Sequence, residues 1–177
     1  MAQEEIVVAD IGGTHARFAL ATIDKGEVTT LSDPVTLKTA EHASLQRAWE
    51  AFGQTMGRDL PRAAGIAIAT PIVGDVLKMT NNPWIIRPAL IPSKLHVDRH
   101  VLVNDFGAVG YAVAALGADN FAHLCGPDTP FPDQGPLSII GPGTGLGVAQ
   151  VVRADGHYHV VETEGGHMEF AALDRIE

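Results

Sequence analysis

Several short stretches of this chain combine residue types that do chemistry together. Asp10-Ile11-Gly12-Gly13-Thr14 sets a carboxylate ahead of two adjacent glycines and a hydroxyl. Paired glycines let a backbone turn sharply and aim N–H groups into a concavity without Cβ interference, and Thr14 can add a hydroxyl donor. An anion suits such a cradle, a phosphate most often; an ordinary hairpin with a glycine turn is the competing reading. Asp10 favours the cradle, because a carboxylate beside bound phosphate can hold a hydrated divalent cation, whereas a buried carboxylate without a partner is costly. Gly141-Pro142-Gly143-Thr144-Gly145-Leu146-Gly147 is a second glycine hairpin. Leu146 falls where a dinucleotide fingerprint needs its third glycine, and the lysine of a P-loop is missing. Two Gly-Thr hairpins, one in each of two domains, can instead close on a polyphosphate from opposite sides.

Asn104-Asp105 follows the apolar run Val101-Leu102-Val103 and precedes a helical pattern. The end of a strand is where α/β sheets place ligand-binding groups, although Asn or Asp before a helix is equally a cap. In the functional reading Asp105 is a general base for a substrate hydroxyl, and Asn104 binds hydroxyls through its amide. Asp105-Phe106-Gly107 also spells the protein-kinase D-F-G, but without the H-R-D and G-x-G-x-x-G motifs that match is accidental. Glu164-Gly165-Gly166-His167 surrounds a glycine pair with an acceptor and a group that can donate or accept, which polyol hydroxyls require. Its spacing fits no zinc motif. His157 and His159 read as solvated, His42 and His123 belong to no constellation, and Trp49 and Phe52 read as core.

The elements that must position these groups follow from periodicity. Ile6–Asp10 and Arg17–Ile23 read as strands across the glycine turn, and a third strand lies within Glu27–Leu37, broken near Asp33-Pro34. Thr39 offers an N-cap with Glu41 in the first turn, and Leu45, Trp49, Phe52 and Met56 continue at helical spacing to a stop near Gly57. Ala64–Ala69, Val73–Met79 and Val101–Val103 read as strands, and Phe106, Val109, Val113 and Leu116 as the apolar face of a helix. Leu137–Ile140, Leu146–Val152 and His157–Val161 read as strands of a new sheet. The intervening Cys125–Pro136 run, with Pro127, Pro130, Pro132 and Pro136, is the candidate linker.

Composition narrows the function classes. The 177 residues are 46% hydrophobic and 19% charged, enough for a real core in one domain or one and a fraction. A net charge of -9, with Lys and Arg scattered, argues against nucleic acid as a partner. One cysteine, Cys125, forms no internal disulfide, and no N-glycosylation acceptor occurs, so the cytoplasm is the expected location. The apolar stretches Ala63–Val73 and Phe106–Ala118 fall short of the ~18–20 residues a membrane span needs, and the acidic start is unlike a signal peptide. No membrane partner is expected.

Taken together, Asp10-Ile-Gly-Gly-Thr-His-Ala-Arg-Phe18, Thr80-Asn-Asn-Pro-Trp84, Asn104-Asp-Phe-Gly-Ala-Val109, Gly141-Pro-Gly-Thr-Gly-Leu-Gly147 and Glu164-Gly-Gly-His-Met-Glu-Phe-Ala171 resemble the bacterial glucokinase family. That family is the ATP-dependent branch of the sugar-kinase, Hsp70 and actin-like superfamily. The resemblance runs from about Ile6 to the last residue, with the motifs in the family's order. It implies an α/β protein: a ribonuclease-H-like, actin-like ATPase domain with a mixed sheet over residues 1–120, a linker over 121–136, and the incomplete start of a second α/β domain over 137–177. Glucose and Mg-ATP would be bound, and a homodimer is the candidate assembly. By position, Asp105 would take the proton from the glucose 6-hydroxyl as it attacks the γ-phosphorus. Asn104, Glu164 and His167 would hold the other sugar hydroxyls. Asp10, Gly12, Gly13 and Thr14, with Gly143, Thr144 and Gly145, would be the phosphate loops, Asp10 reaching Mg2+ through water. His15 stands where the family often has Asn, Pro142 where Ala is also seen, and the family's second domain continues well beyond this sequence. A non-catalytic sugar-binding or regulatory module is therefore the alternative function.

Overall fold

The computed structural model describes residues 3–79, 81–127, 129, 134–142, 146–163 and 165–168, with Ala118 and His167 described by their backbone only. The chain divides into two compact units, Met1–Asp105 and Phe106–Glu177.

The first unit is built on a mixed sheet. β1 (Glu4–Ile11) and β2 (His15–Asp24) pair antiparallel across the first glycine turn, bringing Asp10 opposite Arg17. β3 (Glu27–Leu31) follows through Lys25-Gly26, whose φ values of 52° and 91° are the left-handed pair that a tight hairpin needs. β4 (Val35–Lys38) pairs with the other end of β2, so the break expected near Asp33-Pro34 is where one strand becomes two. β5 (Ala63–Ile68) and β8 (Arg99–Asn104) extend the sheet in the order β3-β2-β1-β5-β8, with β1, β5 and β8 parallel. Between them lie the short hairpin β6 (Leu77–Met79) and β7 (Asn82–Ile86) and the single-turn helix α2 (Ile91–Leu95). The strand expected over Val73–Met79 is thus realised only in its last three residues.

Helix α1 (Leu45–Met56) buries Leu45, Ala48, Trp49 and Phe52 in the core with Val7, Ile11, Ile66 and Ile68. Spacings of three and four residues place these side chains on one helix face. Phe18 of β2 stacks on Phe52 at 5.4 Å between centroids and meets Trp49 edge-on at 6.2 Å. Gly57, at φ 64°, ends the helix in the left-handed conformation that favours glycine. Its N-cap, however, is Ser44, whose Oγ accepts from the Arg47 N–H at 3.3 Å. Thr39 was expected to cap this helix; it instead opens an isolated 3-10 turn, Thr39–Glu41, and is buried.

In the second unit β9 (Gly135–Pro142), β10 (Leu146–Ala154) and β11 (His157–Thr163) form an antiparallel sheet in the order β11-β10-β9. Asp155-Gly156 joins the last pair at φ 52° and 76°, and His157 and His159 are exposed, as expected. Helix α3 (Asp105–Ala115) buries only part of the apolar face read from its sequence: Phe106 and Val113 are half-buried, Val109 is exposed, Leu116 lies just beyond the helix and is exposed, while Gly107 and Gly110 are buried. The cause is close approach to the sheet. A Cβ on Gly110 would lie 2.7 Å from Val160 Cγ1, and one on Gly107 would lie 2.8 Å from Glu162 Cγ. The Phe106 ring covers Gly141 and Gly147, a cross-strand pair in β9 and β10 whose absent side chains leave it room. Among the described residues no helix is long and apolar enough to cross a membrane.

Candidate functional site

The three parallel strands of the first unit end together. Ile11 lies beside Ile68 in register, and Ile68 beside Asn104. The C-terminal ends of β1, β5 and β8 therefore share one edge, the place where open α/β sheets bind ligands. Asp10–Thr14 leaves β1 here and Asn104-Asp105 leaves β8, two strand spacings or about 10 Å away.

At the β8 end, Asn104 Nδ2 donates to the Thr70 carbonyl at 3.3 Å, on the segment that follows β5. Thr70 is held in turn, its hydroxyl donating to the Lys78 carbonyl at 3.0 Å. Asp105 is the first residue of α3, with no loop between strand and helix. Its carboxylate sits in the first turn, where the helix macrodipole favours negative charge.

At the β1 end, the Gly12 N–H donates to the His15 carbonyl at 2.9 Å and closes the turn. Neither Gly12 nor Gly13 has a positive φ, so left-handed backbone is not what selects them. Gly13 is needed for space: a Cβ there would lie 3.0 Å from the Asn81 Cβ and 3.4 Å from the Asn81 carbonyl oxygen. Thr14 is exposed. Among the described residues, three donors reach the loop's carbonyls. Asn82 Nδ2 donates to Gly12 O at 3.1 Å, the Thr39 hydroxyl to Gly13 O at 2.7 Å, and the Thr39 N–H to Thr14 O at 3.0 Å. The sequence marks Thr39 only as a helix cap and Asn82 only within Thr80–Trp84, and no local pattern places either residue beside the glycine loop.

Asp10 is neither buried nor unpartnered. Arg17 Nη1 donates to its Oδ2 at 2.9 Å across the β1–β2 pair, and both side chains are about half exposed. The cost of burying an unpaired carboxylate, which had favoured a cation beside it, therefore does not arise. Among the described residues no three His, Cys, Asp or Glu side chains gather as a metal site.

In the second unit, Pro142 and Leu146 pair across β9 and β10 on either side of residues 143–145. Gly143, Thr144, Gly145 and Glu164 lie outside the described residues. His167 ends the 3-10 turn Gly165–His167. That turn is tied to the sheet by the Thr163 hydroxyl, which donates to Val148 O at 2.9 Å and accepts from the Gly165 N–H at 3.3 Å.

An antiparallel β3-β2-β1 meander running into parallel β5 and β8, with a glycine turn after β1, is the α/β architecture of the ribonuclease-H-like, actin-like ATPase fold. Within that class the chain belongs to the glucokinase family, whose model matches residues 7–177. The glucokinase of Zymomonas mobilis subsp. mobilis is 59% identical over 173 residues, covering 98% of this chain and 53% of that protein. The crystal structure of a glucokinase from an Antarctic psychrotroph matches 98% of this chain and 54% of its own, at 31% identity and a TM-score of 0.77. A glucokinase from Balamuthia mandrillaris, in complex with glucose, shares the fold at a TM-score of 0.74 and 24% identity, over 99% of this chain and 52% of its own. The chain thus spans about half the length of the relatives it matches.

Proposed function

We propose that this chain carries the catalytic base and a phosphate loop of an ATP-dependent glucokinase. The shared edge of β1, β5 and β8 is the observation that carries the proposal, because it sets Asn104-Asp105 and the Gly12–Thr14 loop on one rim. Asp105 accepts the proton of the glucose 6-hydroxyl while the oxygen attacks the γ-phosphorus of ATP; the bond to the bridging oxygen breaks, and ADP leaves with that electron pair. Such a transfer depends on positioning and charge neutralisation more than on covalent help. Asn104, Glu164 and His167 hold the remaining sugar hydroxyls, and Gly143, Thr144 and Gly145 supply a second phosphate loop. Mg2+, when bound with the nucleotide, would supply charge neutralisation. Asp10, half-exposed at the loop and already accepting from Arg17 through Oδ2, fits a hydrated ion held through water rather than one stripped of it. The product, glucose 6-phosphate, enters glycolysis, and we place the protein in the cytoplasm, as a homodimer.

Asp105→Asn in the full-length protein tests the assignment. Glucose binding should persist while kcat falls by about a hundredfold or more, the usual weight of general-base catalysis. Turnover near normal would remove Asp105 as the base.

A further inference from the structure

We propose that Thr39 and Asn82 are positioning residues for phosphate binding, fixing the carbonyls of Gly12, Gly13 and Thr14 so that the N–H groups of Gly13 and Thr14 are preset for an anion. The proposal rests on the reading of this loop as the phosphate cradle. Thr39 and Asn82 are only 3% and 6% exposed, and the other buried side chains among the described residues are apolar. Buried polar side chains persist where their hydrogen bonds are made, and here those bonds converge on one loop.

The geometry fixes direction as well as position. In a trans peptide the C=O and the following N–H point opposite ways in one plane. Asn82 Nδ2, donating to Gly12 O at 3.1 Å, turns the Gly13 N–H away from Asn82. The Thr39 hydroxyl, donating to Gly13 O at 2.7 Å, turns the Thr14 N–H away from Thr39. The Thr39 N–H, donating to Thr14 O at 3.0 Å, holds the next peptide plane. Both holders are themselves fixed. Asn82 Oδ1 accepts from the Trp84 N–H at 2.9 Å, and the buried Trp84 indole donates to the His42 carbonyl at 2.8 Å. An anion arriving at the loop meets oriented N–H groups and the exposed Thr14 hydroxyl, and need not order them itself.

Steady-state kinetics of the full-length protein, varying ATP and glucose separately, test the proposal. Thr39→Val keeps the shape and removes the donor, and should raise the KM for ATP about tenfold, the weight of one hydrogen bond, with the glucose KM within about twofold. Thr39→Ser should restore the ATP KM. Asn82→Asp, which keeps the acceptor and loses the donor, should shift the ATP KM in the same direction and serves if Thr39→Val does not fold. A lowered melting temperature with the ATP KM unchanged, or equal rises in both KM values, would overturn the positioning role. Thr14→Val tests the cradle itself: no change in its ATP KM defeats the phosphate-loop reading, whereas a raised value beside an unaffected Thr39→Val defeats only the role of Thr39.

Discussion

Arg62 grips Asp98 with two hydrogen bonds of 2.6 Å, one residue ahead of β8, and this pair shows what an exposed contact can contribute. Hydrogen bonding from Arg62 is the main reason the Asp98 carboxyl is held below its ordinary range, with the charges of Arg62 and Arg99 adding to it. Because the folded carboxyl titrates lower than the unfolded one, its contribution to stability is complete above the unfolded value of about 3.9 and is lost as pH falls through the folded value. Asp98→Asn should therefore lower the melting temperature slightly at pH 7, less so in high salt, and not at all once the carboxyl is protonated. Thermal melts at pH 7 and in strong acid, with and without salt, check this; an acid-insensitive loss would point to packing rather than charge. Asp10 follows the same lesson. The D-x-G-G-T stretch identified the carboxylate, but the register that sets Arg17 opposite it determines what charge a ligand meets.

At the scale of elements, the Gly141–Gly147 pair and the Phe106 ring form a contact that admits no side chain. Gly147→Val forces atoms into the ring and should cost about 1–3 kcal/mol, the usual range for overpacking. Phe106→Leu in the same background should recover part of it, and a denaturation cycle over the four proteins measures the coupling. Purely additive losses would mean that the ring and the glycines do not depend on each other. The same contact marks where sequence legibility ends. Alternation exposed the strands, and spacing exposed α1, because both patterns record which face turns inward. The apolar pattern of α3 misled because it names a face without naming its cover, and Gly107 and Gly110 bring the helix to the sheet by lacking side chains. Thr39 was misread as a cap because Thr with Glu two residues on resembles a helix start, while Ser44, beside the helix itself, takes the cap. Asn104-Asp105 and the Gly12–Thr14 loop were legible as strand-end motifs. Their holders were not, since no local pattern pairs Gly13 with Thr39 or Gly12 with Asn82.

Over the whole molecule the two units differ in the core each contains. The first buries more than twenty apolar side chains, from Val7 to Val97; in the second, the apolar residues among the described ones that are fully buried are Ala149 and Val151. Amide exchange should follow this difference, with central strands β1 and β5 protected on the order of tenfold or more beyond β9 and β11. Hydrogen exchange resolved by peptide or residue measures it, and equal protection in both sheets would contradict it. The hydrogen bonds of Thr39 and Asn82 to the glycine loop also carry a kinetic consequence. They close chain separations of 26 and 70 residues, so the loop acquires its final shape only after β4 and the β6–β7 hairpin have docked. Contacts of such long sequence separation form late and slow a chain's assembly. With the loop acting as the phosphate cradle proposed above, nascent or partly refolded molecules should hold the right residues yet lack affinity for an anion, and the recovery of that affinity during refolding would time the docking of β4 and the β6–β7 hairpin.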